Sequence, residues 1–367
     1  MTLRGNSLFV TVSALISFSF CSYACTDFKL TSKDNTVIIS RSMEFAADLK
    51  SNLRTSPRGR VFNTTTPNNK PGLSWKAKYG YVYVDGFGVD ASFDGMNEAG
   101  LTFEYLYLPG ETHYQSIPAG KDGQTIPYSL LGDWVLANFQ TIDEVKEALK
   151  KVYVSNQTIP QLGDTILPAH ASIYDASGKG IVVEFYDERI NLFDNIGVMT
   201  NSPKYDWHVT NLSNYINLSA DTPQTIQTKG ISLASLGQGS GAVGLPGDAS
   251  PPSRFVKVAF MLKNVFPANN VQDLLNLAQH IMNNVDLPSG YVRSVDNGQT
   301  ATDITQWVVF KDITHKTFYY RTYNDMTLHK VAMDKLSFSE NAPRLKMSLQ
   351  GEPNIMNVTD QFLQTGK

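Results

Sequence analysis

Ser22-Tyr23-Ala24-Cys25-Thr26-Asp27-Phe28 is the stretch whose reading decides this chain. Residues 1–24 read as a secretory signal peptide. Arg4 supplies the positive end, residues 8–20 form an apolar core too short for a comfortable membrane helix, and Ser22 and Ala24 are the small residues a signal peptidase prefers. A cut after Ala24 makes Cys25 the first residue of the mature chain. An N-terminal cysteine carries a thiol and a free α-amine on one residue, so nucleophile and base come together without help from another side chain. The expectation is an exported amide hydrolase, periplasmic or secreted, whose nucleophile is created by the cut, with residues 25–367 as a single domain. Lipoprotein signals also end at a cysteine, but usually with an aliphatic residue where this chain has Ser22. That alternative makes the protein a non-catalytic envelope lipoprotein, because a lipidated and acylated Cys25 has neither thiol nor amine left to react.

Composition narrows the class further. The 367 residues are 42% hydrophobic and 18% charged, as in a soluble globular protein, and a net charge of −3 offers no basic field for nucleic acid or anionic lipid. No later apolar run is long enough to span a bilayer. Of the two cysteines, Cys21 leaves with the signal, so Cys25 has no disulfide partner in the mature chain. The six histidines are scattered, without H-E-x-x-H or cysteine pairs, and neither G-x-S-x-G nor a Walker A motif occurs. No metal and no cofactor is called for. Gly239, Gly241 and Gly244 fit G-x-G-x-x-G, but Pro246, Pro251 and Pro252 follow where a phosphate-binding helix would start. Residues 235–247 are therefore expected to be a mobile loop.

Outward from Cys25 the chain reads as strand. Residues 26–30 and 36–41 are rich in β-formers, and Lys33-Asp34-Asn35 between them is turn chemistry. Such a hairpin holds Cys25 on a sheet and can return Arg41 beside the thiol. A surface ion pair is the plainer reading of Arg41 and Glu44 in a strand. Residues 53–74, polar and rich in Pro and Gly, read as loop. Residues 81–108 read as strands with a turn at Asn97-Glu98-Ala99-Gly100. Residues 129–152 show helical periodicity, split by an N-cap at Thr141 with Asp143 and Glu144 behind it. Residues 171–186 and 191–200 return to strand. Residues 254–266 and 271–285 read as two helices, and residues 306–310 and 317–321 as strands. Elements in blocks predict helices packed on antiparallel sheets, not alternating βαβ units.

These residues together resemble the choloylglycine hydrolases, the N-terminal-nucleophile hydrolases that include penicillin V acylases and bile salt hydrolases. Cys25-Thr26 resembles the mature N-terminus of that family, and Arg41-Ser42-Met43-Glu44 its Arg followed by an acid. Met96-Asn97-Glu98-Ala99-Gly100-Leu101 resembles its central hairpin. Thr200-Asn201-Ser202-Pro203, and Leu245-Pro246-Gly247-Asp248 with Ser253-Arg254-Phe255, resemble two later signatures. The resemblance implies an α+β, four-layer αββα fold and often a homotetramer. It also implies roles: Cys25 as nucleophile with its own amine as base, and Arg41 favouring thiolate. Asn201 and the backbone N–H of Tyr107 would be oxyanion donors, and Glu44 and Arg254 would hold the amine and the network around it. Glu44 stands where members often have Asp. The implied substrate is a small N-acyl amide. Tyr107 stands where penicillin V acylases tend to have Tyr and bile salt hydrolases Asn. That places penicillin V or N-acyl-homoserine lactones ahead of conjugated bile acids, with Phe45, Phe87 and Trp207 as candidate apolar wall.

Overall fold

Alternation along the first two strands sets up everything near Cys25. The computed structural model describes residues 24–160, 165–296 and 298–365; the expected signal peptide lies outside the described residues, apart from Ala24. In the strand Cys25–Thr31, residues Cys25, Asp27 and Lys29 share one face, and Thr26, Phe28 and Leu30 the other. The turn at Lys33-Asp34-Asn35 returns the chain as Val37–Phe45, antiparallel, with Cys25 opposite Met43 and Asp27 opposite Arg41. The expected hairpin is therefore present, and its second strand runs past Arg41 to Phe45. Arg41, Met43 and Phe45 thus share the face of Cys25, while Glu44 belongs to the opposite one.

This hairpin lies in a seven-stranded sheet ordered Val198–Met199, Cys25–Thr31, Val37–Phe45, Gln299–Asp312, Thr317–Thr322, His329–Ala332, with Val292–Asp296 also paired to Gln299–Asp312. A second, eight-stranded sheet runs Arg189–Asp194, Gly180–Tyr186, Ala169–Tyr174, Thr102–Tyr107, Val89–Asn97, Tyr81–Gly86, Asn52–Ser56, Lys346–Ser348. Every pairing within the two is antiparallel. The sheets stack face to face. Lys311 of the first reaches Asp94 and Glu104 of the second, and all three side chains are buried.

Helices close both outer faces. Phe255, Val258, Leu274, Ala278 and Met282, from Pro251–Asn264 and Val271–Asn283, join one buried cluster with Phe28, Ile38 and Phe310 of the first sheet. Leu131, Trp134, Val135, Ile142 and Val145, from Leu131–Asn138 and Ile142–Leu149, join another with Tyr83, Phe103, Ile173 and Val183 of the second. Each large apolar side chain buried this way contributes about 1.5–3 kcal/mol, which holds the four layers together as αββα. Thr141 caps Ile142–Leu149 in a full capping box with Glu144. Gly100 takes φ +90° in the turn after Asn97, a conformation that costs glycine little.

Residues 53–74 depart from expectation. They hold most of Asn52–Ser56, all of Val61–Thr65 and the start of Pro71–Lys76. Val61–Thr65 buries Phe62 and Thr64 and exposes Val61, Asn63 and Thr65, so polar residues stand on both faces and its period is hidden from a composition count. Phe62 stacks on its cross-strand partner Trp75 at 4.8 Å. The helix expected from residue 254 begins at Pro251, since proline suits a first turn whose N–H groups have no helical partner. Residues 235–247 form exposed turns around one short 3-10 helix, Ser240–Ala242. No described helix is long and apolar enough to cross a membrane.

Candidate active site

Cys25 ends a strand with its thiol turned between the sheets, 2% exposed. Its sulfur lies 3.8 Å from Arg41 Nη2 and 3.9 Å from Met43 Sδ. Arg41 is itself fully buried. Its guanidinium lies over the Trp307 ring at 4.6 Å and donates from Nη2 to the Tyr105 carbonyl at 2.5 Å. A charge so placed cannot be screened by water, and it acts on the thiol directly. Burial pushes the Cys25 thiol above its ordinary value; Arg41 is the largest influence in the opposite direction, the Glu44 charge adds to the rise, and the Glu44 backbone N–H and Arg254 lower it.

The Cys25 nitrogen is held separately. It donates to Asn201 Oδ1 at 2.7 Å, while Asn201 Nδ2 donates to the Tyr107 carbonyl at 2.7 Å. Arg254, on the helix Pro251–Asn264, donates from Nη2 to the same Asn201 oxygen at 2.7 Å. Its Nη1 donates to the Cys25 carbonyl at 2.5 Å and to Thr26 Oγ1 at 2.6 Å. These bonds leave the Asn201 amide one orientation, with its oxygen on Cys25 and Arg254. Burial lowers the Arg254 pKa, with Glu44 and Cys25 opposing.

The structure thus gathers Cys25, Arg41, Asn201, Arg254 and Tyr107 around one point. Arg254 donates to the Cys25 carbonyl, and it is the Asn201 oxygen that accepts from the Cys25 nitrogen. Glu44 stands on the other face of its strand. Its Oε1 accepts from Thr305 at 2.7 Å and its Oε2 is buried without a hydrogen-bond partner. Burial pushes its carboxyl up to about 8, against the pull of Arg254, Thr305 and Ser42. Sequence reasoning missed Met43, Trp307, Thr26 and Thr305. Met43 had a signal, since period two puts it on the face of Arg41. Trp307 and Thr305 reach the site through strand pairing alone.

Beside the thiol opens a pocket of about 540 Å³, including its mouth, lined by Phe45, Leu49, Phe87, Phe93, Tyr105, Tyr107, Tyr128, Ile159 and Leu167 among others. Phe45 and Phe87 meet edge to face at 5.1 Å. Two of its phenols are engaged within the protein: Tyr105 donates to the Tyr128 carbonyl at 2.7 Å, and Tyr128 Oη accepts from the Leu167 N–H at 2.9 Å. Trp207 is not part of this wall. It stands on the short helix Tyr205–Asn211, 45% exposed, because that helix turns Tyr205 and His208 inward instead.

The match to a known family begins at the same cysteine. A family model described as linear amide C–N hydrolases, choloylglycine hydrolase family, matches residues 25–347. A bile salt hydrolase/transferase of Clostridium perfringens is 36% identical over 325 residues, 86% of this chain and 94% of that protein. A penicillin V acylase of Pectobacterium atrosepticum is 28% identical over 356 residues, 91% of this chain and 87% of that protein. The crystal structure of a variant of the conjugated bile acid hydrolase from Clostridium perfringens superposes with a TM-score of 0.80 at 33% identity, covering 91% of this chain and all of that one.

Proposed function

Because the chain belongs to the choloylglycine hydrolase family of linear amide C–N hydrolases, and is an enzyme of that kind, we propose that Cys25 is its nucleophile, freed by a cut after Ala24. The observation that carries this reading is the geometry at Cys25. Its sulfur faces Arg41 and an apolar pocket, while its nitrogen sits on the Asn201 oxygen. A thiol buried between the sheets fits a nucleophile and not an anchor.

In this mechanism the α-amine takes the thiol proton. A free α-amine titrates at about 7.7–8.0 and an ordinary thiol at about 8.5, and burial raises the thiol further, so Arg41 is needed to keep the transfer within reach. The thiolate adds to the acyl carbonyl. One Asn201 Nδ2 hydrogen is bound to Tyr107, and the other, with the Tyr107 backbone N–H, receives the oxyanion. The α-ammonium protonates the departing amine as the C–N bond breaks, leaving a thioester. Water then adds, giving its proton to the α-amine, and the acid leaves as the thiol reforms. Arg254 supports this network through the Cys25 carbonyl and the Asn201 oxygen, and Glu44 acts on it from the other face of its strand through its influence on Arg254.

The acyl group is proposed to be flat or flexible and poor in hydroxyls, as in penicillin V or N-acyl-homoserine lactones. The pocket is largely aromatic and aliphatic, and the hydroxyls of a conjugated bile acid would lose water there with few partners in return. The relative from Clostridium perfringens favours a second reading, bile salt hydrolysis on the same chemistry. Export and assembly as a homotetramer belong to the proposal too. The exposed hairpin Ile226–Thr228 and Ile231–Leu233, with Ile226, Ile231, Leu233 and Leu236 in solvent, supports the latter.

The test uses purified enzyme shown by intact mass to begin at Cys25. Higher kcat/KM on phenoxyacetyl or medium-chain acyl amides than on glycine or taurine conjugates of bile acids is expected, and the reverse order would overturn the substrate class alone. A precursor shown to be uncut should be inactive, because its nitrogen is tied into a peptide bond. Full turnover by that precursor, or a diacylglyceryl adduct on Cys25 of the exported protein, would defeat the mechanism.

A further inference from the structure

Asn201 can serve Cys25 and Tyr107 at once only if the backbone beneath it is held still. Two histidines bind that backbone. His170, on the strand Ala169–Tyr174, places Nε2 2.8 Å from the Thr200 carbonyl. His208, on the helix Tyr205–Asn211, places Nε2 2.8 Å from the Asn201 carbonyl. Both residues are 1% exposed. A carbonyl oxygen can only accept, so Nε2 of each ring carries the proton. Consecutive peptide oxygens are therefore gripped from two different elements, a strand of the second sheet and a helix.

Each ring is itself held. His170 Nδ1 lies 3.0 Å from Glu184 Oε1, and the same oxygen accepts the Tyr205 N–H at 2.9 Å, tying the strand to the start of the helix. The His208 ring stacks on Phe255 at 4.7 Å, next in sequence to the Arg254 that binds the Asn201 side chain. Burial lowers His208 to about 4, with the hydrogen bond to the Asn201 carbonyl opposing and the Arg254 charge adding to the fall, so near neutral pH it is an uncharged N–H donor.

We propose that His170 and His208 are positioning residues for the hydrolysis, clamping the Thr200 and Asn201 carbonyls so that the Asn201 amide stays aligned between the Cys25 nitrogen and Tyr107. The inference rests on the reading of Cys25 as nucleophile and Asn201 as its partner. Neither imidazole touches the reacting atoms. Both act through Asn201, where a displacement of about 1 Å can cost on the order of 10²-fold in rate.

The test compares His208→Phe, which keeps a ring against Phe255 but loses the donor, with His208→Gln, whose amide N–H reaches about as far as Nε2. Active-site concentration is set by intact mass and Cys25 alkylation. The Phe variant should lose about 10- to 100-fold in kcat with KM little changed. The Gln variant should recover most of that loss, with the pH profile of kcat/KM unmoved. Equal loss in both, an unchanged kcat in the Phe variant, or a shifted pH profile in the Gln variant would overturn the clamp. Should the Phe variant not fold, the folded Gln variant decides alone, since more than about tenfold loss there is incompatible with a donor role. Cys25→Ser assayed alongside separates this inference from the reading beneath it. Wild-type turnover by that variant sinks the nucleophile, whereas its inactivity beside an unaffected Phe variant sinks only the clamp.

Discussion

At Cys25 two influences oppose each other. Burial shields the thiol from water and raises its pKa, while Arg41 at 3.8 Å favours the thiolate. The balance leaves the thiol raised, so the proposed reaction depends on a base that shares its residue. Asn201 is the second point of leverage. Asn201→Ala should cost on the order of 10²–10³ in kcat, the usual effect of removing one preorganised donor. It should also lower stability by about 1–3 kcal/mol, because the Cys25 N–H and Arg254 Nη2 both lose their shared acceptor. Kinetics beside thermal melts check this. A lower Tm with unchanged kcat in the folded fraction would make Asn201 a turn residue ahead of Pro203 and nothing more.

Among the elements, the helix Leu131–Asn138 lies unusually close to its sheet. A Cβ at Gly132 would sit 2.5 Å from the Ser92 carbonyl oxygen and 2.8 Å from the Phe103 ring. The strand carrying Phe103 also carries Tyr105 and Tyr107. Alanine gains about 1 kcal/mol of helix propensity over glycine, but a clash with backbone has little room to relax and costs about 1–3 kcal/mol or more. Gly132→Ala should therefore lower stability by about 1 kcal/mol net, read as a lower urea midpoint at unchanged slope. An unchanged or raised midpoint would show that helix and sheet are free to move apart. Element boundaries themselves were legible where a local signal existed. Thr141 with Asp143 and Glu144 marks a helix start that is there, whereas residues 53–74 hide short strands in a polar, Pro- and Gly-rich composition that reads as loop.

Across the whole molecule, charge is buried between and behind the sheets. Lys311 alone meets Asp94 and Glu104, with Asp27 close enough to feel the same cation. Burial pushes Asp27 up to about 7 and Glu104 and Glu44 up to about 8. In the unfolded chain Asp and Glu titrate at about 3.9 and 4.3. Between those limits the native protein holds protons that the unfolded chain has released, so these groups make stability fall as pH rises through about 5–8. His208 acts in the opposite sense. Its native value of about 4 lies below the ordinary one of about 6.5, and its contribution is complete once pH exceeds the latter. Of these groups, only the carboxylates still contribute from about pH 6.5 to 8. Unfolding at pH 7 should release protons, measurable by calorimetry in buffers of different ionisation enthalpy, and the denaturation midpoint should fall over that interval. Proton uptake at pH 7 would contradict the assignment.

Local chemistry made part of this protein readable from its residues alone. A thiol and an amine can share one residue, so Cys25 at an expected cut site is enough to suggest the nucleophile. Period two placed the hairpin behind it, and helical periodicity and capping placed the helices. The rest depended on register and on layers meeting at long separation. Asn201 reaches the Cys25 nitrogen across 176 residues and Arg254 its carbonyl across 229. Trp307 arrives beneath Arg41, and Thr305 at Glu44, because one central strand pairs with Val37–Phe45. His170 and His208 carry no local motif and matter only because a strand and a helix bring them to consecutive carbonyls. Side-chain alternation is a property of one strand, but which strand lies opposite is decided by the packing of the whole core, and only the folded molecule holds that information.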